Sequence, residues 1–177
     1  GAADGELDYY FIYGDTIADV IKNYTALTGR CPLPQLWTLG YHQSRWGYSS
    51  QQEVLELAEN FINNDLPCDV IHMDIDYMDN YKVFTVDKNK FPDLSGLSNT
   101  LQDKGIRLVT IIDPGTKVEK GYHMYDEGVR NHYFAQTPEG DIYENVVWPG
   151  DSVFPDYTSS TVRNWWGSQT KLLVDQG

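Results

Sequence analysis

Apolar positions along the chain fall into two rhythms that alternate. Ile17, Val20, Ile21, Tyr24 and Leu27 recur at the three-four spacing of one helix face, and Gly29 closes that run. The same spacing returns at Val54, Leu57, Ala58, Phe61 and Ile62, then at Leu94, Leu97 and Leu101. It returns last at Val162, Trp165, Trp166, Leu172 and Leu173. Between these helices lie short apolar runs that predict strands over residues 36–42, 70–73 and 107–112, with a further aromatic strand over 7–13. The punctuation agrees with this reading. Asp15 is placed to cap the first helix, Ser50 with Glu53 predicts a capping box, and Gly105 closes the third helix. Pro32 and Pro34 force an extended linker between the first helix and the rest.

Strand and helix alternating in this way predict parallel strands with right-handed crossovers, an α/β class. The stretch 69–79 is central: Asp-Val-Ile-His-Met-Asp-Ile-Asp-Tyr-Met-Asp. Its body is apolar and its C-terminal end is acidic, as where a parallel sheet builds a site. Strand alternation predicts Asp74 and Asp76 on one face and Ile75 on the other. The first strand-to-helix loop carries Arg45 and Trp46, the second Asp74 and Asp76, the third Asp113 and Trp148. All fall at one end of a parallel sheet. Residues 116–159 show little helical periodicity, and 133–135 with 141–147 flank Thr137-Pro138-Glu139-Gly140, a predicted hairpin. The pattern leaves two architectures: a (β/α)8 barrel, or an open doubly wound sheet.

Composition narrows the chemistry. The 177 residues carry a net charge of −13, which argues against nucleic acid and against an anionic membrane. No run approaches the roughly 20 apolar residues of a spanning helix. There is no G-x-G-x-x-G and no P-loop, so phosphate cradles are not expected. Two isolated cysteines, Cys31 and Cys68, suit neither a disulfide framework nor a zinc site and fit a reducing, cytoplasmic setting. No metal and no cofactor are expected. Aromatics at 14% with an acidic rim suit a neutral polar ligand such as a sugar.

Five motifs in order then carry a resemblance. They are Arg45-Trp46-Gly47-Tyr48, Asp74-Ile75-Asp76-Tyr77-Met78, Asp113-Pro114-Gly115, Val147-Trp148-Pro149-Gly150 and Phe154-Pro155-Asp156. Their order and spacing resemble the α-glucosidases of glycoside hydrolase family 31. The resemblance implies the first three β-α units of a (β/α)8 barrel over residues 31–177, with a hairpin-containing insertion after the third strand. Residues 1–30 would be the exit of an N-terminal β-sandwich and a linker helix. It also implies retaining hydrolysis of terminal α-linked glucose by two carboxylates. The family's nucleophile motif, Trp-x-Asp-Met-Asn-Glu, has no counterpart here, so both catalytic carboxylates are expected beyond Gly177 and none is assigned. What carries over is half a substrate pocket. Asp74 resembles the aspartate that accepts bonds from the outer hydroxyls of glucose, Ile75 the apolar wall beside it, and Trp46 and Trp148 the aromatic lining. Thr116 stands where many relatives have an isoleucine. Asp76, Asp113 and Asp156 read as turn-capping aspartates, Arg45 as an ion-pair partner for one of them, and His42 and His72 as hydrogen-bonded core histidines.

Three units of an eight-unit barrel leave two open sheet edges. The expectation is a weakly stable chain that associates with itself or with the remainder of a barrel. A non-catalytic sugar-binding or interaction module, and an unrelated doubly wound fold, stay as alternatives.

Overall fold

The computed structural model describes residues 6–176. The chain divides into two units, Gly1–Leu36 and Trp37–Gly177. In the first unit, helix α1 (Ile17–Thr28) opens on a capping box. Thr16 Oγ1 accepts from the Asp19 amide, and the Asp19 carboxylate accepts from the Thr16 amide, both at 3.2 Å. Asp15, expected as the cap, instead accepts from the Tyr13 hydroxyl at 2.5 Å. The strand expected over 7–13 is absent, because a strand exists only through a ladder and no described residue pairs with this one.

The second unit is built on a parallel sheet in the order β1-β2-β3, comprising β1 (His42–Ser44), β2 (Val70–Met73) and β3 (Arg107–Thr110). Val70 is in register with His42 on one side and Arg107 on the other. Helix α2 (Gln51–Asn63) crosses from β1 to β2, and α3 (Leu94–Asp103) from β2 to β3. Strand β2 lies in the middle, with Val70 and Ile71 wholly buried and Met73 nearly so. Each such side chain contributes about 1.5–3 kcal/mol relative to an exposed one. Val54 and Ala58 of α2, and Leu97 and Leu101 of α3, bring their stripes onto this sheet.

Several expectations are corrected. Residues 36–42 are not one strand: Leu36–Leu39 is a 3-10 turn, and the strand starts at His42. The Asp69 carboxylate sets that start, accepting from the Tyr41 amide at 3.0 Å in the space a side chain at Gly40 would fill. At α2, Ser50 accepts from the Glu53 amide at 3.2 Å, but the Glu53 carboxylate accepts from the Ser49 amide and hydroxyl. Those two bonds hold its carboxyl below the usual range. Strand β3 is not fully buried: Arg107 is exposed and the next three residues are half-buried, because β2 is its single partner among the described residues.

Residues 116–153 form a second, antiparallel sheet in the order β4-β6-β5, from β4 (Thr116–Lys117), β5 (Glu144–Val147) and β6 (Gly150–Val153). The turn at 137–140 is present, with Thr137 and Asp141 bonded at 2.8 Å, but the longer ladder is β5 against β6. Trp148 and Pro149 are therefore the tip of a hairpin. Helix α4 (His123–Asn131) falls where no helix was expected, burying Met124 and Gly128. Helix α5 (Ser160–Val174) buries Val162 and Trp165 as predicted, and the Phe84 and Trp166 rings meet in a T-shape, 4.8 Å between centroids. Among the described residues no helix is long and apolar enough to cross a membrane.

Candidate functional site

The C-terminal ends of the three parallel strands deliver the site. Strand β2 stops at Met73 and the chain tightens at once into a 3-10 turn, Ile75–Tyr77. Asp74 caps that turn, its Oδ1 accepting from the Ile75 amide at 2.7 Å. Strand alternation ends there, so Asp74 and Asp76 do not share a face as expected. Asp76 lies against Gly47, whose φ of +83° and missing Cβ let the first loop pass close to the carboxylate. Its other neighbour is the Tyr81 hydroxyl at 3.4 Å.

Tyr77 ties the second strand end to the third. Its buried hydroxyl donates to the Ile111 carbonyl at 2.8 Å, and burial pushes the phenol pKa up to about 12. The Ile111 amide in turn donates to the Met73 carbonyl at 3.0 Å. These bonds fix Ile111 and, two residues on, Asp113.

Trp46, Asp74, Ile75, Ile111, Asp113 and Trp148 together line one cleft of about 350 Å³. The four residues that the family resemblance singled out are thus gathered around one space, with Ile111 and Asp113 added. The two indoles are 71% and 68% exposed, so their faces are available to a ligand. The sequence context of Asp113 suggests a turn cap, but no donor among the described residues reaches its carboxyl. Burial, and then the charge of Asp74, push that carboxyl above the usual range. Its position at the strand end was legible; its freedom from a capping bond was not. A smaller compartment of about 140 Å³ adjoins the cleft, sharing Ile75, Asp113 and Trp148 and adding Tyr81, Val147 and Phe154.

The loop that carries Tyr81 is strained. Asn80, Tyr81 and Phe84 hold φ near +50 to +60° without being glycine, each costing about 1–3 kcal/mol. Bracing offsets this. Thr85 Oγ1 accepts from the Asp79 amide at 3.0 Å, and Lys82 Nζ stands 2.9 Å from both Asp79 and Glu119. Those two carboxylates raise the Lys82 pKa, so the ammonium stays charged.

The remaining candidates lie elsewhere. Thr116 is fully buried in β4 and lines neither cavity. Asp156 does cap a turn, accepting from the Thr158 amide and hydroxyl, which holds its carboxyl below the usual range. Arg45 makes no ion pair with these aspartates; its guanidinium stands 6.0 Å from the centre of the Tyr48 ring. His42 Nδ1 and His72 Nε2 are 3.0 Å apart and bond to each other. Burial, then the neighbouring His42, lowers the His72 pKa. Among the described residues no three His, Cys, Asp or Glu side chains converge as a metal site would require.

The cleft therefore offers flat aromatic faces, two apolar walls and two acceptor groups. That combination matches a ring that is apolar on its faces and hydroxylated at its rim. Comparison with known proteins gives the lineage. The model of the TIM-barrel domain of glycosyl hydrolases family 31 matches residues 31–177. Alpha-glucosidase 2 of Bacillus thermoamyloliquefaciens is 51% identical over 176 residues, covering 99% of this chain and 22% of that protein. Human neutral alpha-glucosidase AB is 40% identical over 164 residues, covering 93% of this chain and 17% of that protein. The DNJ-bound glucosidase II alpha subunit superposes with a TM-score of 0.82 at 40% identity, covering 86% of this chain and 16% of that one. The glucose-bound dextranase of Flavobacterium johnsoniae gives 0.85 at 28% identity, with 93% and 20% covered. The chain spans about a fifth of the length of these curated relatives. Fold, motif order and these matches agree: this chain belongs to glycoside hydrolase family 31 and to the TIM-barrel domain of that family.

Proposed function

We propose that this chain supplies the sugar-binding part of an α-glucosidase active site, as the first three β-α units of a (β/α)8 barrel with the hairpin sheet inserted after the third strand. Asp74 uses its unbonded oxygen to accept from the outer hydroxyls of a terminal α-linked glucose. Ile75 forms the apolar wall, and Trp46 and Trp148 stack on the sugar's C–H faces. The observation that carries the reading is the convergence of these four residues on one cleft at the C-terminal ends of parallel strands. Charge-assisted bonds to Asp74 would contribute about 1.5–3 kcal/mol.

In this reading the chain binds but does not turn over. Retaining hydrolysis needs a nucleophile and an acid/base about 5–5.5 Å apart across the scissile bond, and the family's nucleophile motif does not occur in this sequence. The edges of β1 and β3, open among the described residues, are where the remainder of a barrel, or a second copy, would pair. The two free cysteines fit a reducing compartment, and we place the chain in the cytoplasm on that ground.

The test combines calorimetric binding of methyl α-glucoside with hydrolysis of p-nitrophenyl α-glucoside, in this chain and in Asp74→Asn. Binding that Asp74→Asn weakens, without hydrolysis by either, is the expected result. Hydrolysis lost in Asp74→Asn would place a catalytic group in the cleft itself and overturn the division of labour. Absence of binding would overturn the reading.

A further inference from the structure

We infer that Asp113 is a second ligand-orienting carboxylate of the cleft, accepting hydrogen bonds from a bound sugar alongside Asp74 and favouring ligands that carry a ring cation. The inference rests on the sugar-binding reading above and extends it to a residue whose sequence context suggests only a turn cap.

Two observations carry it. Asp113 lines both the main cleft and the smaller compartment, so its carboxyl borders the space a ligand would enter from either side. No donor among the described residues satisfies that carboxyl, whereas Asp156, a loop aspartate of the same expected role, is bonded by its own turn. A partly desolvated carboxylate with no donor gains more from a ligand's hydroxyl or ammonium than an already paired one does.

The mounting is also that of a positioned group. Upstream, the Tyr77 hydroxyl and the Met73 carbonyl pin Ile111 from both sides. Downstream, Thr116 pairs with Val153 in the second sheet. Between them Gly115 is packed so closely that a Cβ there would lie 2.8 Å from Val147 Cγ2. The backbone around Asp113 is held at both ends, so little ordering entropy remains to be lost on binding. The neighbouring charge of Asp74, which disfavours ionised Asp113 in the free protein, becomes an advantage once a cation lies between the two.

The test uses two ligands of one shape: 1,5-anhydroglucitol, and its counterpart with a ring nitrogen in place of the ring oxygen. At about pH 6 the nitrogen is protonated and the pair differ by one charge. The wild-type chain is expected to bind the amine more tightly than the ether. Asp113→Asn is expected to lower amine affinity by about tenfold more than ether affinity, since only the charge is removed. Equal losses for both ligands would show a merely structural role and overturn the inference; no loss for either would do the same, while leaving the sugar-binding reading intact. Failure of the wild type to bind either ligand would overturn both. In the unmutated chain, the Asp113 13Cγ resonance is expected to titrate at lower pH with the amine bound than without it. An unmoved titration refutes the inference whatever the variant does.

Discussion

The same substitution should change stability in opposite directions at two helical glycines. Gly128 lies in α4 against the ring of Phe134. A Cβ there would stand 2.5 Å from Cε2 and 3.0 Å from Cε1, and closer still to Cζ. Phe134 is 3% exposed, and its ring contacts Tyr125 at 6.2 Å and Trp165 at 6.5 Å between centroids, so it has no free direction to move. Overpacking of this kind costs about 1–3 kcal/mol, and with so rigid a neighbour the upper half of that range applies. Replacing glycine by alanine inside a helix returns about 1 kcal/mol. Overpacking wins, leaving Gly128→Ala destabilised by about 1–2 kcal/mol. At Gly167, in α5, a Cβ would meet nothing within 4 Å and the position is exposed, so only the helical gain remains. For a chain of this size 1 kcal/mol moves Tm by about 2–4 °C. Thermal unfolding followed by circular dichroism should therefore show Gly128→Ala lowered by about 2–8 °C and Gly167→Ala raised by about 2–4 °C. A neutral or stabilised Gly128→Ala would refute the packing of α4 on Phe134.

Other expectations follow from the same contacts. Because the His72 pKa is lowered on folding, the unfolded chain binds more protons there, so stability should fall as pH drops through about 6.5, and His72→Gln should flatten that slope in urea melts at a series of pH values. Tyr77 has the opposite sense: its pKa rises to about 12, so the stability it lends is complete below pH 10 and lost above, and alkaline unfolding should show it. Tyr77→Phe should lower stability by about 1 kcal/mol and weaken methyl α-glucoside binding, because Ile111 and Asp113 lose their mount; unchanged affinity in calorimetry would count against that coupling. The edges of β1 and β3, unpaired among the described residues, should make the chain associate as concentration rises, and a monomer by analytical ultracentrifugation across a hundredfold range would contradict this.

Much of the scaffold was written locally. Three of the helices, α2, α3 and α5, each bury a stripe long enough to declare its period, and β2 is apolar because both its faces are covered. What sequence reasoning missed depends on partners distant in the chain. Helix α4 is nine residues long and polar except for Met124, Tyr125 and Val129, so its helical state rests on Phe134 and on Tyr122 donating to the Val83 carbonyl. The break at Leu36–Leu39 depends on Asp69, about thirty residues on, occupying the space beside Gly40. The separation of Asp76 from Asp74 follows from a 3-10 turn that begins one residue after the strand, which alternation cannot anticipate. In the site, the motifs identified Trp46, Asp74, Ile75 and Trp148, and the structure places them around one cleft. Asp113 lines the same cleft with no capping donor among the described residues, and an Asp-Pro-Gly sequence does not reveal that.

If this cleft holds a sugar between two indoles, the five tryptophans report it directly. The measurement is the indole Nε1–H region of a 15N-labelled sample titrated with methyl α-glucoside. Saturable shifts are expected for Trp46 and Trp148, which line the cleft, while Trp37, Trp165 and Trp166 stay in place. Shifts confined to the latter three, or none at all, would contradict it.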